Sequence, residues 1–146
     1  MMEQYKLDVE TSRALHKKHA RLMELRQCYK NVSCILDHEF KKFTSGEGKI
    51  AYGYYTVTVD IPQLLARHCF ILTNQNTVID PTIMIHETDM NELASREYFV
   101  MKTFDDIKEY YGALVSEECY DLCHLLQKQD MDAFIWAGLN GYGIIG

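Results

Sequence analysis

One stretch limits the possible folds more than any other, the segment Arg67–Thr82 with the sequence RHCFILTNQNTVIDPT. Two apolar runs flank the turn-forming residues 74–76, a pattern that is typical of a β-hairpin. His68 lies in the first run, and Asp80 directly follows the second. The hairpin is therefore expected to bring an imidazole close to a carboxylate.

The length of the turn decides whether these two side chains meet. With residues 74–76 as the loop, His68 lies diagonal to Asp80 on the same face, within reach of a hydrogen bond. A two-residue loop would instead place Leu72 opposite Ile79 and put the two side chains on opposite faces. The sequence leaves both registers open.

The composition is that of an ordinary folded domain, with 47% hydrophobic and 25% charged residues in a chain of 146. That length suits a single domain, 1–146, with a core of its own. A net charge of -6 and a pI near 5.4 argue against broad electrostatic binding to nucleic acid. No apolar run approaches the roughly 20 residues that span a bilayer, so no membrane association is expected.

Cysteine usage indicates a reducing environment. The five cysteines are an odd number at irregular spacing, and the segment MMEQYKLDVE has no features of a signal peptide. Free thiols in the cytoplasm are therefore expected rather than a disulfide framework. The sequence has no phosphate-binding glycine loop, so no cofactor is expected, and it does not indicate an oligomeric state.

Residue patterns divide the chain into four stretches, helical over 11–43, β-rich over 50–103, helical over 104–137 and glycine-rich over 138–146. In the first stretch, apolar residues at spacings of three and four predict a helix over 27–43, and Thr11 or Ser12 is expected to cap an earlier helix. No breaker stands between Arg26 and Cys28, so one continuous helix over 12–43 stays open.

Strand-forming residues dominate the second stretch. Segment 50–59 is rich in β-branched and aromatic residues and predicts a strand, in which Gly53 indicates a bulge or the close approach of another backbone. Segment 97–103 alternates more weakly and is a further strand candidate. The glycine-rich tail is expected to be a loop or a docked extension.

Three residues together indicate the chemistry of a thiol enzyme. A cysteine becomes a nucleophile when an imidazole takes its proton and a carboxylate holds that imidazole in one tautomer. Cys28 supplies the thiol, His68 the general base and Asp80 the orienting carboxylate. Each residue alone is often only a packing or turn residue, so the prediction depends on all three occurring in this order.

This order of residues resembles that of papain-like and transglutaminase-like cysteine enzymes. The resemblance covers residues 27–82, with QCYKN on a helix, YGYYTV on a strand, and then RHCFIL and VIDPT. In that superfamily the histidine strand often begins with His before hydrophobic residues, and the aspartate strand often ends in Asp-Pro-Thr. The fold that follows is α+β, with the cysteine-bearing N-terminal helix packed on a small antiparallel sheet and with C-terminal helices.

The resemblance also implies a function and further site residues. Enzymes of this kind transfer acyl groups at a carboxamide or thioester, as peptidases, deamidases or transglutaminases, so a protein or peptide substrate is expected. Gln27 would support the oxyanion, and the backbone N–H of Cys28 is an equal candidate. Tyr54 and Tyr55, on the predicted strand 50–59, are candidates to stack against a substrate.

Two other interpretations compete with this one. A non-catalytic inhibitor or regulator would use the same fold with a buried cysteine, and a small acidic chain suits binding of a basic protein. Cys119 and Cys123, with His124 adjacent, are conceivable metal ligands, but this spacing inside an amphipathic helix favours core packing, so no metal is expected. Cys34 and Cys69 are also expected to pack.

Overall fold

The secondary structure comes from a computed structural model, which describes residues 2–39, 48–58, 60–85, 87, 89–105, 107–116, 118 and 130–145. The strands are β1 (Glu3–Leu7), β2 (Gly48–Thr56), β3 (Leu64–Thr73), β4 (Thr77–Ile79), β5 (Glu97–Phe104) and β6 (Gly143–Ile145). The α-helices are α1 (Val9–Lys18), α2 (Cys28–His38), α3 (Met90–Ser95), α4 (Ile107–Ser116) and α5 (Asp130–Leu139), and 3-10 helices cover Ala20–Leu22 and Ile83–Ile85. Within these ranges, no helix has both the length and the apolar character needed to cross a membrane.

Five of the strands close into a barrel, in the order β2, β5, β1, β4, β3 and back to β2. β1 and β4 run parallel, whereas the other neighbours in the ring are antiparallel. β6 pairs in parallel with the first residues of β3, outside the ring. Each strand of the ring therefore has a partner on both sides, so the ring has no open edge.

The expected fold class is wrong in its central feature, because the sheet is a closed barrel and not a small open antiparallel sheet that carries the N-terminal helix. The strand that closes the ring is β1, which hydrogen-bonds to β5 on one side and to β4 on the other. Its sequence, EQYKL, gives a weak strand signal because Leu7 is its one buried residue. The parallel pairing of β1 with β4 joins residues far apart in the chain, which local patterns do not register.

The core has three parts, separated by the barrel wall. Residues of all five ring strands point inward and fill the barrel, among them Leu7, Ala51, Phe70, Val78 and Tyr98. A second cluster packs the outer wall against α1 and α2, with Leu15, Val32, Ile35, Cys69 and Ile71. A third lies under α5 and β6, with Tyr54, Leu65, Phe99 and Ala133. The helix that carries Cys28 is thus fixed to the outside of β3.

A break in the chain separates α1 from α2. Arg26 has a positive φ of 64°, in the left-handed region, and α2 begins at Cys28. A continuous helix over 12–43 is therefore excluded. Because the break falls here, Cys28 lies in the first turn of its helix.

The N-cap of α1 differs from the prediction, and the glycine-rich tail takes one of the two predicted forms. α1 is capped by Asp8, whose Oδ1 accepts a hydrogen bond from the Thr11 amide at 3.0 Å, so neither Thr11 nor Ser12 is the cap. The glycine-rich tail docks through β6. The conceivable metal ligands Cys119, Cys123 and His124 lie outside the described residues, as does part of the stretch predicted to be helical over 104–137.

The β3–β4 hairpin has the longer of the two possible loops. Leu72 pairs with Val78, which leaves residues 74–76 as the loop, and Asn76 takes a positive φ of 60° there. In this register His68 and Asp80 lie on the same side of the hairpin.

Candidate active site

The imidazole of His68 and the carboxylate of Asp80 form a buried ion pair. His68 shares the inward side of β3 with Phe70, and Asp80 is the first residue after β4. The Nε2 atom of His68 lies 2.7 Å from Oδ2 of Asp80, with side-chain exposures of 8% and 0%. Because Nε2 is taken by the carboxylate, Nδ1 is the ring atom left for another partner.

Asp80 is itself held by groups from three other parts of the chain. The hydroxyl of Tyr98 on β5 donates to Oδ2 at 2.6 Å. The amides of Thr82 and Ile83 donate to Oδ1 at 3.1 and 3.3 Å, and the amide of Asp80 donates to Oγ of Ser12 on α1 at 2.9 Å. These contacts fix the carboxylate, so it can orient His68 without rearranging.

A buried asparagine fastens the start of α2 to the end of the hairpin. Asn31 is fully buried, and its Nδ2 donates to Oγ1 of Thr82 at 2.9 Å and to the Glu24 carbonyl at 2.8 Å. Its Oδ1 accepts from the Glu24 amide at 3.0 Å. Since Asn31 lies one helical turn after Cys28, these bonds set where the thiol stands relative to Asp80.

The thiol of Cys28 completes the arrangement. It lines the same pocket as the imidazole of His68, and its pKa is lowered by that imidazole and by the backbone of Cys69. As the first residue of α2, Cys28 lies among amides that have no acceptor within the helix, where the helix dipole favours negative charge. The structure thus brings the three predicted residues together in the predicted order of contact.

The electrostatics of the three groups favour a charged pair. Burial alone would raise the pKa of the Cys28 thiol, but the charge of His68 and the hydrogen bonds from His68 and Cys69 lower it below its usual value. Burial acts to lower the pKa of His68, yet the charges of Asp80 and Cys28 raise it well above 6.5. Burial likewise opposes ionisation of Asp80, and His68 and Tyr98 nevertheless lower its pKa. The shifts of Cys28 and His68 both act in the direction of a thiolate facing an imidazolium.

A pocket of about 470 Å³ opens onto the thiol and the imidazole, lined by Leu25, Arg26, Cys28, Tyr55, Arg67 and His68. The ring of Tyr55 lies over that of His68, with centroids 4.4 Å apart and planes 31° apart. Tyr55 therefore lines the pocket beside the imidazole, and its contact with a substrate stays a prediction.

The other two predicted site residues are placed differently. Tyr54 is fully buried in the cluster under α5 and β6, and it does not line this pocket. Gln27 is the N-cap residue of α2, where its side chain caps no helix amide in the described part of the chain. Of the two candidates for oxyanion support in the predicted reaction, the structure favours the backbone N–H of Cys28.

The remaining described cysteines lack these features. Cys34 lies 3.5 Å from Nδ1 of His38 on the surface of α2, but burial and the charge of Asp37 raise its pKa. Cys69 is buried in the cluster beneath α2, and burial raises its pKa well above its usual value. Among the described residues, no cluster of His, Cys, Asp or Glu could hold a metal ion.

Sequence patterns missed the residues that position the triad. Tyr98 and Ser12 gave no signal, because their partner Asp80 is distant in the chain. Asn31 gave a signal in the sequence, because it lies three residues after Cys28 and four before Ile35, on the apolar side of α2. A polar side chain in that position needs a hydrogen-bond partner.

The fold and the site together define a closed barrel that holds a Cys-His-Asp arrangement beside an open pocket. Comparisons of the chain with protein-family models, with curated proteins and with solved structures found no significant match. The resemblance to papain-like and transglutaminase-like enzymes over 27–82 therefore stays a prediction.

Tyr98→Phe is expected to lower the free energy of unfolding by about 1.5–3 kcal/mol, because it removes a buried hydrogen bond to the charged carboxylate of Asp80. Urea denaturation measures the change. Tyr142→Phe, a replacement of a partly exposed tyrosine remote from Asp80, is the matched control and should alter stability little. Equal effects of the two replacements would mean that the Tyr98 hydroxyl does not support Asp80.

Proposed function

We propose that the protein is a cysteine-dependent acyl-transfer enzyme, in which Cys28 is the nucleophile, His68 the general base and then acid, and Asp80 the orienting residue. The observation that carries this proposal is the 2.7 Å contact between the imidazole of His68 and the buried carboxylate of Asp80, beside a pocket that His68 lines together with Cys28. A packing cysteine would have a raised pKa, as Cys69 has, whereas that of Cys28 is lowered.

The first half of the reaction forms an acyl-enzyme. The Cys28 thiolate attacks the carbonyl carbon of a carboxamide or thioester, a C–S bond forms, and the carbonyl oxygen becomes an oxyanion near the first amides of α2. The C–N or C–S bond to the leaving group then breaks as the imidazolium of His68 donates its proton to that group. A thioester with Cys28 remains, and Asp80 keeps the now neutral ring in place.

The second half reverses these roles. A water molecule or an amine attacks the thioester, His68 takes the proton of this second nucleophile, and the Cys28 thiolate leaves. Water makes the enzyme a peptidase or deamidase, and an amine makes it a transferase. We propose a protein or peptide as the acyl donor, and the cytoplasm as the compartment, since a reactive thiol needs reducing conditions.

Iodoacetamide should label Cys28 at least roughly tenfold faster than Cys34 near neutral pH, because the alkylating agent reacts with the thiolate. The pH dependence of the two labelling rates should show the two pKa shifts. As the pH is lowered, Cys28, whose pKa is lowered, should keep its thiolate to a pH below its usual pKa of 9.0. Cys34, whose pKa is raised, should already lose its thiolate above that pH. Peptide mass spectrometry against time gives a rate constant for each cysteine.

Two variants make this measurement decisive. His68→Ala should slow the labelling of Cys28 to the rate of Cys34, whereas His38→Ala, which removes the imidazole beside Cys34, should leave Cys28 unchanged. Slow labelling of Cys28 in the unmodified protein would contradict the enzyme and favour the alternative, a non-catalytic inhibitor or regulator.

A further inference from the structure

The pocket above Cys28 and His68 has a distinct charge. Two of its lining side chains, Arg26 and Arg67, carry guanidinium groups, and the described residues that line it include no carboxylate. The whole chain has a net charge of -6, so a pair of arginines beside the reacting residues runs against the average of the protein. Guanidinium groups in a pocket lining suit a short-range contact with an anionic ligand.

Both arginines are tied by the backbone to the reacting residues. Arg67 directly precedes His68 on β3, half-buried, and Arg26 lies two residues before Cys28 in the left-handed turn that opens α2. Both arginines line the same pocket as the thiol and the imidazole. Leu25 and Tyr55 add apolar lining beside them.

We infer that the acyl donor carries a carboxylate, which Arg26 and Arg67 bind beside the carbonyl carbon that Cys28 attacks. A guanidinium is charged at every physiological pH and presents paired N–H donors that match the two oxygens of a carboxylate. In peptides this group is an acidic side chain or the C-terminus. This inference rests on the function proposed above, because it concerns the substrate of the same site.

Two small alkylating agents test the inference without knowledge of the natural substrate. Iodoacetate and iodoacetamide react in the same way, since the thiolate forms an S–C bond to the methylene carbon and iodide leaves. They differ in the neighbouring group, a carboxylate in one and a carboxamide in the other. The ratio of iodoacetate to iodoacetamide rate constants at Cys28, divided by that ratio at Cys34, should be roughly ten or more.

Arginine variants separate the guanidinium groups from the imidazolium of His68, which also attracts anions. Arg67→Gln and Arg26→Gln should each lower the normalised ratio, and the double variant should lower it roughly tenfold, because the ratio cancels any change in the reactivity of the thiolate itself. Arg21→Gln, at an exposed arginine that does not line the pocket, is the matched control and should leave the ratio unchanged. Unaltered thermal unfolding of each variant verifies its fold.

The outcomes distinguish this inference from the function on which it rests. If Cys28 reacts rapidly with iodoacetamide, but the double variant keeps the ratio of the unmodified protein, the carboxylate site is refuted and the enzyme survives. If Cys28 reacts no faster than Cys34 with either reagent, the enzyme and the carboxylate site are both refuted. A high ratio that is lost in the double variant establishes the site.

Discussion

Replacing Asp80 by alanine is expected to lower the free energy of unfolding by about 3–5 kcal/mol and to abolish the selective reactivity of Cys28. The substitution removes the partner of a buried imidazolium and the acceptor of the Tyr98 hydroxyl and of two backbone amides. Each of these groups would stay buried without an equivalent acceptor. Urea denaturation and the iodoacetamide rate constant of Cys28 measure the two effects.

A milder variant guards against simple failure to fold. Asp80→Asn keeps an oxygen for the amide donors and should cost less stability, yet it removes the charge that raises the pKa of His68, so Cys28 should still lose its reactivity. Asp89→Asn is the matched control. Asp89 also accepts two backbone amides, at the exposed start of α3, and no histidine among the described residues pairs with it. If Asp80→Asn labels as fast as the unmodified protein, Asp80 does not orient His68.

The pH dependence of the Asp80→Ala effect follows from the two pKa shifts. The pKa of Asp80 is lowered in the fold, so its contribution to stability is present above its usual value of 3.8 and is lost as the pH falls through the lowered one. The pKa of His68 is raised, so its contribution is complete below 6.5 and is lost as the pH rises through the raised value. The difference in stability between the two proteins should therefore peak between pH 3.8 and 6.5.

The histidine–aspartate pair could be predicted because the information for it is local. A hairpin with a short loop fixes its own register, and two side chains on the same face then meet whatever the rest of the chain does. The turn-forming residues before Thr77 are compatible with a loop of two or of three residues. The structure has the three-residue loop, in which Asn76 takes a left-handed φ. The sequence therefore limited the hairpin to two registers, and in one of them His68 and Asp80 lie on the same face.

Closure of the barrel could not be predicted, because it depends on pairing between distant segments. β1 has a polar sequence whose outer positions face solvent, and its place between β4 and β5 is set by partners more than 60 residues away. The break before Cys28 has a related cause. Neither glycine nor proline marks it, and Arg26 adopts its left-handed conformation while Asn31 clasps the backbone of Glu24.

Sequence spacing alone also pairs a second cysteine, Cys34, with a histidine. Cys34 and His38 stand four residues apart on α2, on the same side of the helix, and their side chains do meet at 3.5 Å. The pKa of Cys34 is nevertheless raised, by burial and by the charge of Asp37. Cys28 differs in that the imidazole beside it is paired with a buried carboxylate, which tertiary structure supplies.

Gly53→Ala is expected to lower the free energy of unfolding by about 3 kcal/mol, at the upper end of the cost of overpacking. A Cβ at this position would lie 1.9 Å from the carbonyl oxygen of Phe99, a backbone atom that a side-chain rotation cannot move. The close approach follows from the irregular register of β2 against β5, as the glycine in this strand indicated. Gly53 also pairs with His68 on its other side, so a shift of β2 should disturb Cys28 labelling as well.

Gly112→Ala on α4, where a Cβ meets nothing within 4 Å, is the control and should stabilise the protein slightly. A Gly53→Ala protein of unchanged stability would mean that β2 and β5 do not approach as the barrel requires.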